Sequence, residues 1–314
     1  MKRRRIGFGT AAMLAIGLLA FFPTYRDAGI AAPTFGAWSA PVNLGAAVNT
    51  EFGEFAPHTS KDGLSLYFAS TRPATYGSFG GEDLWVSTRV SADAPWGIPM
   101  NLGQIVNTDA NERSPALSRD GHYLFFASDR AGGFGALDLW VSWRPNTHDD
   151  FGWESPVNLG AAVNTAATDA GPSFFENDDA GIPQLFIASN RPGGSGGLDI
   201  HVSDFAEGSW QPAAPIPALN TPQADLTPGI RFDGLEIVIA SSRPGGVGMQ
   251  DLWVSVRETP DSPRSAPTNL GATVNSASSE NFPSISADRR SLYFNSGRPG
   301  GFGETDLYVS TRAK

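Results

Sequence analysis

Ser241-Ser242-Arg243-Pro244-Gly245-Gly246, closed a few residues later by Asp251-Leu252-Trp253-Val254-Ser255, is a phrase that this chain of 314 residues uses five times. The closing pentads begin at Asp83, Asp138, Asp199, Asp251 and Asp306, at intervals of 55, 61, 52 and 55 residues. A period in that range predicts a repeat architecture in which each unit is one supersecondary module.

Outward from the phrase, each unit reads as four short β-type runs. The first opens on Trp38, Trp96, Trp153 or Trp210, with Arg264 in the tryptophan place of the last unit; its prolines predict an edge strand, because proline has no N–H to give to an inner ladder. A link ending in Asn49-Thr50 or its equivalents follows. An acidic residue then precedes a proline by three, as in Glu54 and Pro57, and the run after the proline is expected to be the second strand. Asp62-Gly63, Asp120-Gly121 and Asp233-Gly234 predict tight hairpin turns. The third run, Leu66-Tyr-Phe-Ala-Ser and its relatives, is almost continuously apolar, so both of its faces should be covered. The repeated phrase is the fourth strand.

Four antiparallel strands per unit, five units and no helical periodicity predict an all-β, five-bladed β-propeller. The chain opens with an outer strand at Trp38 and ends on a blade that lacks one, so the N-terminal strand should complete the last blade and close the ring. The stretch Ser60-Lys-Asp-Gly-Leu-Ser-Leu-Tyr-Phe-Ala-Ser-Thr-Arg72 followed by Asp83-Leu-Trp85, with its four relatives, resembles the WD40-like PD40 repeat. That resemblance spans residues 38–312 and implies a TolB-like propeller of the bacterial envelope. The chain departs from TolB in having five longer repeats and no separate N-terminal domain.

Residues 1–32 read as a leader: Lys2-Arg3-Arg4-Arg5 is followed by seventeen uncharged, mostly apolar residues from Ile6 to Phe22, as in a signal peptide or an uncleaved membrane anchor. Residues 33–314 are then the propeller, exported to the periplasm or beyond. Removing the leader takes away five basic residues and one acidic residue, so the net charge moves from −10 to −14. Such a balance argues against nucleic acid and against anionic lipid as partners. There is no cysteine, so stability in an oxidising compartment rests on packing. A monomer is expected.

A residue type present in every blade solves a problem that every blade has. Arg72, Arg130, Arg191, Arg243 and Arg298, and Asp83, Asp138, Asp199, Asp251 and Asp306, are therefore expected to be structural, each guanidinium bridging a carboxylate and loop carbonyls. Glycine pairs such as Gly245-Gly246 are expected to supply positive φ in the loop. A second acidic set, Glu54, Glu112, Asp169, Asp225 and Glu280, stands at the start of the innermost strands; it either pairs with those arginines or rings a hard cation such as Ca²⁺ at a channel mouth.

Sites are sought where the repeat breaks. His58, Phe175 and Arg231 stand on innermost strands where other blades carry smaller groups, and Tyr76 lies in the long loop of the first unit. Without cysteine, without metal-ligand histidine spacing and without a nominated carboxylate pair, the sequence reads as a non-catalytic platform for an envelope protein or a glycan. The alternative is a carbohydrate-active or lactone-hydrolysing propeller enzyme with an acidic channel mouth. An asymmetric cluster of reactive groups in a pocket would favour the enzyme; an exposed apolar rim would favour the platform.

Overall fold

The computed structural model describes residues 35–176 and 182–314. The leader at 1–32 lies outside them. Among the described residues no helix is long and apolar enough to cross a membrane.

Five antiparallel sheets stand round one axis. The innermost strands are Glu54–Thr59, Glu112–Leu117, Asp169–Phe175, Asp225–Ile230 and Glu280–Ile285. Each pairs with an apolar strand (Ser65–Ser70, Tyr123–Ser128, Gln184–Ser189, Glu236–Ser241, Ser291–Ser296), which in turn pairs with the strand that begins at the repeated aspartate. Leu66, Phe68, Leu124, Phe126, Leu185, Ile187, Ile237 and Leu292 have essentially no exposure, because these second strands are covered on both faces by neighbouring blades. Five apolar clusters fill the seams between blades.

Closure is by strand exchange. Val42 pairs with Val309 and Asn43 with Tyr308, so the first strand of the chain is the outer strand of the last blade. Backbone bonds from Gly36 to Ala313 and from Ser39 to Thr311 extend the latch.

Two strand placements differ from the sequence reading. The tryptophans do not open the outer strands, which are only two residues long: Val42–Asn43, Met100–Asn101, Val157–Asn158, Ala214–Pro215 and Thr268–Asn269. Trp96, Trp153 and Trp210 are instead buried beneath the blades, and in the third blade Ser209–Trp210 adds a separate short strand. An asparagine makes good the brevity of the edge. Asn107 accepts from the Leu84 N–H at 2.8 Å and donates to the Leu84 carbonyl at 2.9 Å, standing in for the residue that a longer outer strand would place there; Asn164 and Asn275 repeat this.

The prolines after the acidic residues lie inside the innermost strands rather than before them. Each follows a residue at positive φ: Ala56 (52°), Ser114 (54°), Gly171 (59°), Thr227 (45°) and Phe282 (52°). The register shifts there in every blade, between Phe55 and His58 in the first. The innermost strand is the axial edge of its sheet, so a proline at a bulge costs no ladder bond, and the bend narrows the waist of the channel. Four non-glycine residues in the left-handed region cost roughly 1 kcal/mol or more each, held in place by the ring around them.

Candidate functional site

The second acidic set is completely enclosed. Glu112 accepts from the Thr108 N–H (2.8 Å), the Thr108 hydroxyl (2.7 Å) and the Ser128 hydroxyl (3.0 Å), and pairs with Arg130 at 2.9 Å. Glu54 with Arg72, Asp169 with Arg191, Asp225 with Arg243 and Glu280 with Arg298 repeat the pair at 3.3, 2.7, 2.6 and 3.0 Å. Each guanidinium also donates to a link carbonyl, such as Val106 O at 2.6 Å, and most lie against the aromatic residue of the repeated phrase. The carboxylates thus tie the link between blades to the next blade's innermost hairpin. At Glu54, burial outweighs the bonds from Thr50 and Ser70 and the charge of Arg72 and raises the carboxyl above its ordinary value. Among the described residues no three His, Asp or Glu side chains converge as metal ligands would.

The arginines do not pair with the repeated aspartates. Asp83 accepts from the Phe79 N–H at 2.7 Å, the Ser78 hydroxyl at 2.8 Å and the Asn101 amide at 2.7 Å, closing its own loop; Asp306 does the same with Phe302 N–H and Asn43. In the last three blades only the first glycine of the pair supplies positive φ, as at Gly245 (93°). The second is small for another reason: a Cβ on Gly246 would stand 2.7 Å from the Asp251 carboxylate. A third glycine, Gly248 in this blade, faces the carbonyl of Ser276 in the next blade's link, where a Cβ would come to 2.1 Å.

The three remaining candidates are dispersed. His58 lines the channel; its Nδ1 stands 3.4 Å from the Ser284 hydroxyl, and its Nε2 has neither solvent nor a partner although part of the ring is exposed. Burial lowers its pKa to about 4. Tyr76, half-exposed, lies on the rim formed by the loops, with its ring edge-on to Phe52 at 5.7 Å. Arg231 is on the opposite rim, formed by the turns, where it pairs with Asp233 at 2.7 Å and Glu236 at 2.6 Å.

Around Asp233 the turn rim departs from five-fold symmetry. A hollow of about 400 Å³ opens there at the channel mouth, lined by Arg119, Phe175, Phe232, Asp233, Glu258 and Arg289 among others. Asp233 accepts from Arg231, from Arg289 at 3.0 Å and from the Leu235 N–H at 3.1 Å. Burial works to raise its pKa, but those bonds and the two guanidinium charges prevail and lower it. Glu258 is exposed and forms no hydrogen bond or ion pair. A larger hollow between the first and last blades also holds carboxylates: Asp62 and Asp288 close their own turns onto Ser60 and Ser286, and Asp93 is exposed.

Phe175 and Arg231 were singled out by the broken repeat. Asp233 was hidden because the same residue type forms the hairpin turn in other blades, and Glu258 because nothing marks an isolated acid in a loop. On the loop rim, Phe79, Phe134, Val247 and Phe302 form a ring of apolar tips exposed by 41–51%. An asymmetric reactive cluster and an apolar rim are therefore both present, on opposite rims.

No family model and no curated protein matches the chain by sequence. Solved structures do match. A GH62 hydrolase in complex with xylotriose aligns at a TM-score of 0.57 and 9% identity over 88% of this chain and 97% of that one. The catalytic domain of an α-L-arabinofuranosidase of the same family from Coprinopsis cinerea aligns at 0.55 and 11% over 90% and 98%. These neighbours are glycoside hydrolases. A putative TolB from Agrobacterium tumefaciens aligns at 0.50 and 15% over 89% and 92%.

At these identities the likeness shows the fold: a five-bladed propeller, with a TolB-like neighbour among the matches but no matching PD40 family model. The expectation of a non-catalytic platform, and with it of a chain that is not an enzyme, is overturned by the glycoside hydrolases among the matches. That expectation rested on finding no reactive set in the sequence. Asp233 and Glu258 meet through the pairing of the Glu236–Ser241 and Asp251–Val256 strands within one blade, and an isolated acid past a strand end carries no motif, so the inference from silence fails.

Proposed function

We propose that this chain is an exported, carbohydrate-active propeller that hydrolyses glycosides at the hollow on the turn rim, with PD40-type repeats as its scaffold and a glycan as its partner. One observation carries the reading: two carboxylates in opposite environments line one hollow, Asp233 held ionised by Arg231, Arg289 and a backbone N–H, and Glu258 without a partner. Glycoside cleavage needs that division of labour, one group giving a proton to the leaving oxygen and the other remaining negative beside the developing oxocarbenium ion. Glu258 is the proton donor and Asp233 the fixed anion. Phe175 and Phe232 offer apolar surface for the sugar ring. The glycosidases with the same fold and the basic, then apolar, leader support the reading.

The test is hydrolysis of aryl arabinofuranosides, xylosides and galactosides by the 33–314 chain. Asp233→Asn should lose at least about 100-fold in kcat/KM. Glu258→Gln should lose a similar factor on a poor leaving group and much less on dinitrophenyl glycosides, which need no protonation. Turnover that survives both substitutions, or no turnover on any of the three classes, refutes the assignment.

A further inference from the structure

In the fourth blade the repeat breaks at a position that no part of the proposed glycosidase chemistry uses. Arg89, Arg144 and Arg312 close their strands by lying over the tryptophan of the following connection, at 4.1 Å from Trp96, 4.4 Å from Trp153 and 4.1 Å from Trp38. Arg257 occupies the same place after the phrase of 251–255, but the tryptophan place is held by Arg264. A second cation therefore stands where a π face should receive the first.

Both guanidiniums converge on one acceptor: Arg257 Nε donates to the Gly234 carbonyl at 2.7 Å, and Arg264 Nη2 donates to the same oxygen at 3.0 Å. Neither forms an ion pair among the described residues. Arg257 Nη2 and Arg264 Nη1 are both shielded from solvent and have no hydrogen-bond partner. Asp261 and Asp233 are near enough for their charges to act on Arg257, but neither bonds to it, and Asp233 is taken up by Arg231 and Arg289. Phe175 and Phe186 lie 5.9 Å from the two guanidinium carbons and offer only weak compensation. Burial, with the neighbouring charge of Arg257 second, lowers the pKa of Arg264 to about 9, as expected of a cation lacking its counter-charge.

We propose that Arg257 and Arg264 form an oxyanion site, taking a carboxylate, sulfate or phosphate group through the two unmet N–H donors. Two planar forks on one carbonyl match the geometry of a tetrahedral or carboxylate oxyanion, which accepts from both at once and removes the repulsion between them. A donor buried without an acceptor is costly, so the pair is stabilised by any ligand that satisfies it. The group comes either from a free inorganic ion or from an acidic sugar, and both present the same oxygens.

Isothermal titration of the 33–314 chain with sodium sulfate, sodium phosphate, galacturonate and neutral galactose, at constant ionic strength, decides it. Saturable heat is expected with the anions and none with galactose. Response to sulfate and phosphate alone assigns a free inorganic ion; response to galacturonate as well assigns the acidic sugar. Arg264→Trp restores the arrangement of the first two blades and keeps the fold, and should abolish the heat; Arg257→Gln should weaken it at least about tenfold. No saturable heat with any anion, or the same heat in Arg264→Trp, overturns the site. The readout is binding alone, so it stands whether or not the chain cleaves glycosides.

Discussion

Replacing Glu112 with alanine tests the carboxylate–arginine scheme at a fully bonded copy. The substitution leaves the Thr108 N–H, two hydroxyls and Arg130 Nη2 without their acceptor in a place with no solvent access. Removing one member of a buried, hydrogen-bonded ion pair costs about 3–5 kcal/mol, mostly from the charge left behind. For a chain of this size each kcal/mol moves Tm by about 2–4 °C, so Glu112→Ala should melt about 6–20 °C below the parent by calorimetry. The double variant Glu112→Leu/Arg130→Met removes both charges and should recover a large part of that loss. Glu258→Ala, an exposed acid, is the control and should change Tm by less than about 2 °C. A Glu112→Ala melt within about 2 °C of the parent would refute the claim that the pair holds link to blade. A rise in parental Tm in millimolar Ca²⁺ that Glu112→Ala abolishes would return this ring of acids to the cation reading.

Two further outcomes follow from the axis and the seam. His58 titrates near 6.5 when unfolded and at about 4 when folded, so its contribution is complete above pH 6.5 and is lost as pH falls through 4. The difference corresponds to about 3 kcal/mol at most, so the parent should lose that much more stability between pH 7 and pH 4 than His58→Gln in urea melts; parallel pH profiles would refute it. Gly248→Ala drives a Cβ into the Ser276 and Ser278 carbonyls, at 2.1 and 2.5 Å, and should cost about 3 kcal/mol by chemical denaturation, whereas a loss under about 0.5 kcal/mol would mean that the seam yields.

Blade number, strand order and the latch at Val42–Asn43 were legible because each blade repeats one local problem, and a repeated solution is visible as a spacing. The recurring Arg72-type and Glu54-type residues were legible as a class for the same reason. Their pairing was open, because choosing between Glu54 and Asp83 as the partner of Arg72 depends on which carboxylate the ring encloses beside it. The prolines were misplaced because a bulge on an axial edge has no local signature. Placing the tryptophans in the outer strands failed similarly: Trp96 is drawn inward by Arg89, which follows the Asp83–Thr88 strand in the same connection, and a cation–π contact across a loop leaves no periodicity to read.

By itself, then, the sequence determined what every blade has in common, since turn chemistry, β propensity and period are local and act within one unit. Tertiary structure decided what belongs to one place only: the meeting of Asp233 and Glu258 with Arg119 from another blade, and the convergence of Arg257 and Arg264 on one carbonyl. Closure of the ring brings Arg119 to the turn-rim hollow, whereas Asp233 with Glu258, and Arg257 with Arg264, meet within one blade through strand pairing and single departures from the repeat, none of which a spacing along the chain encodes.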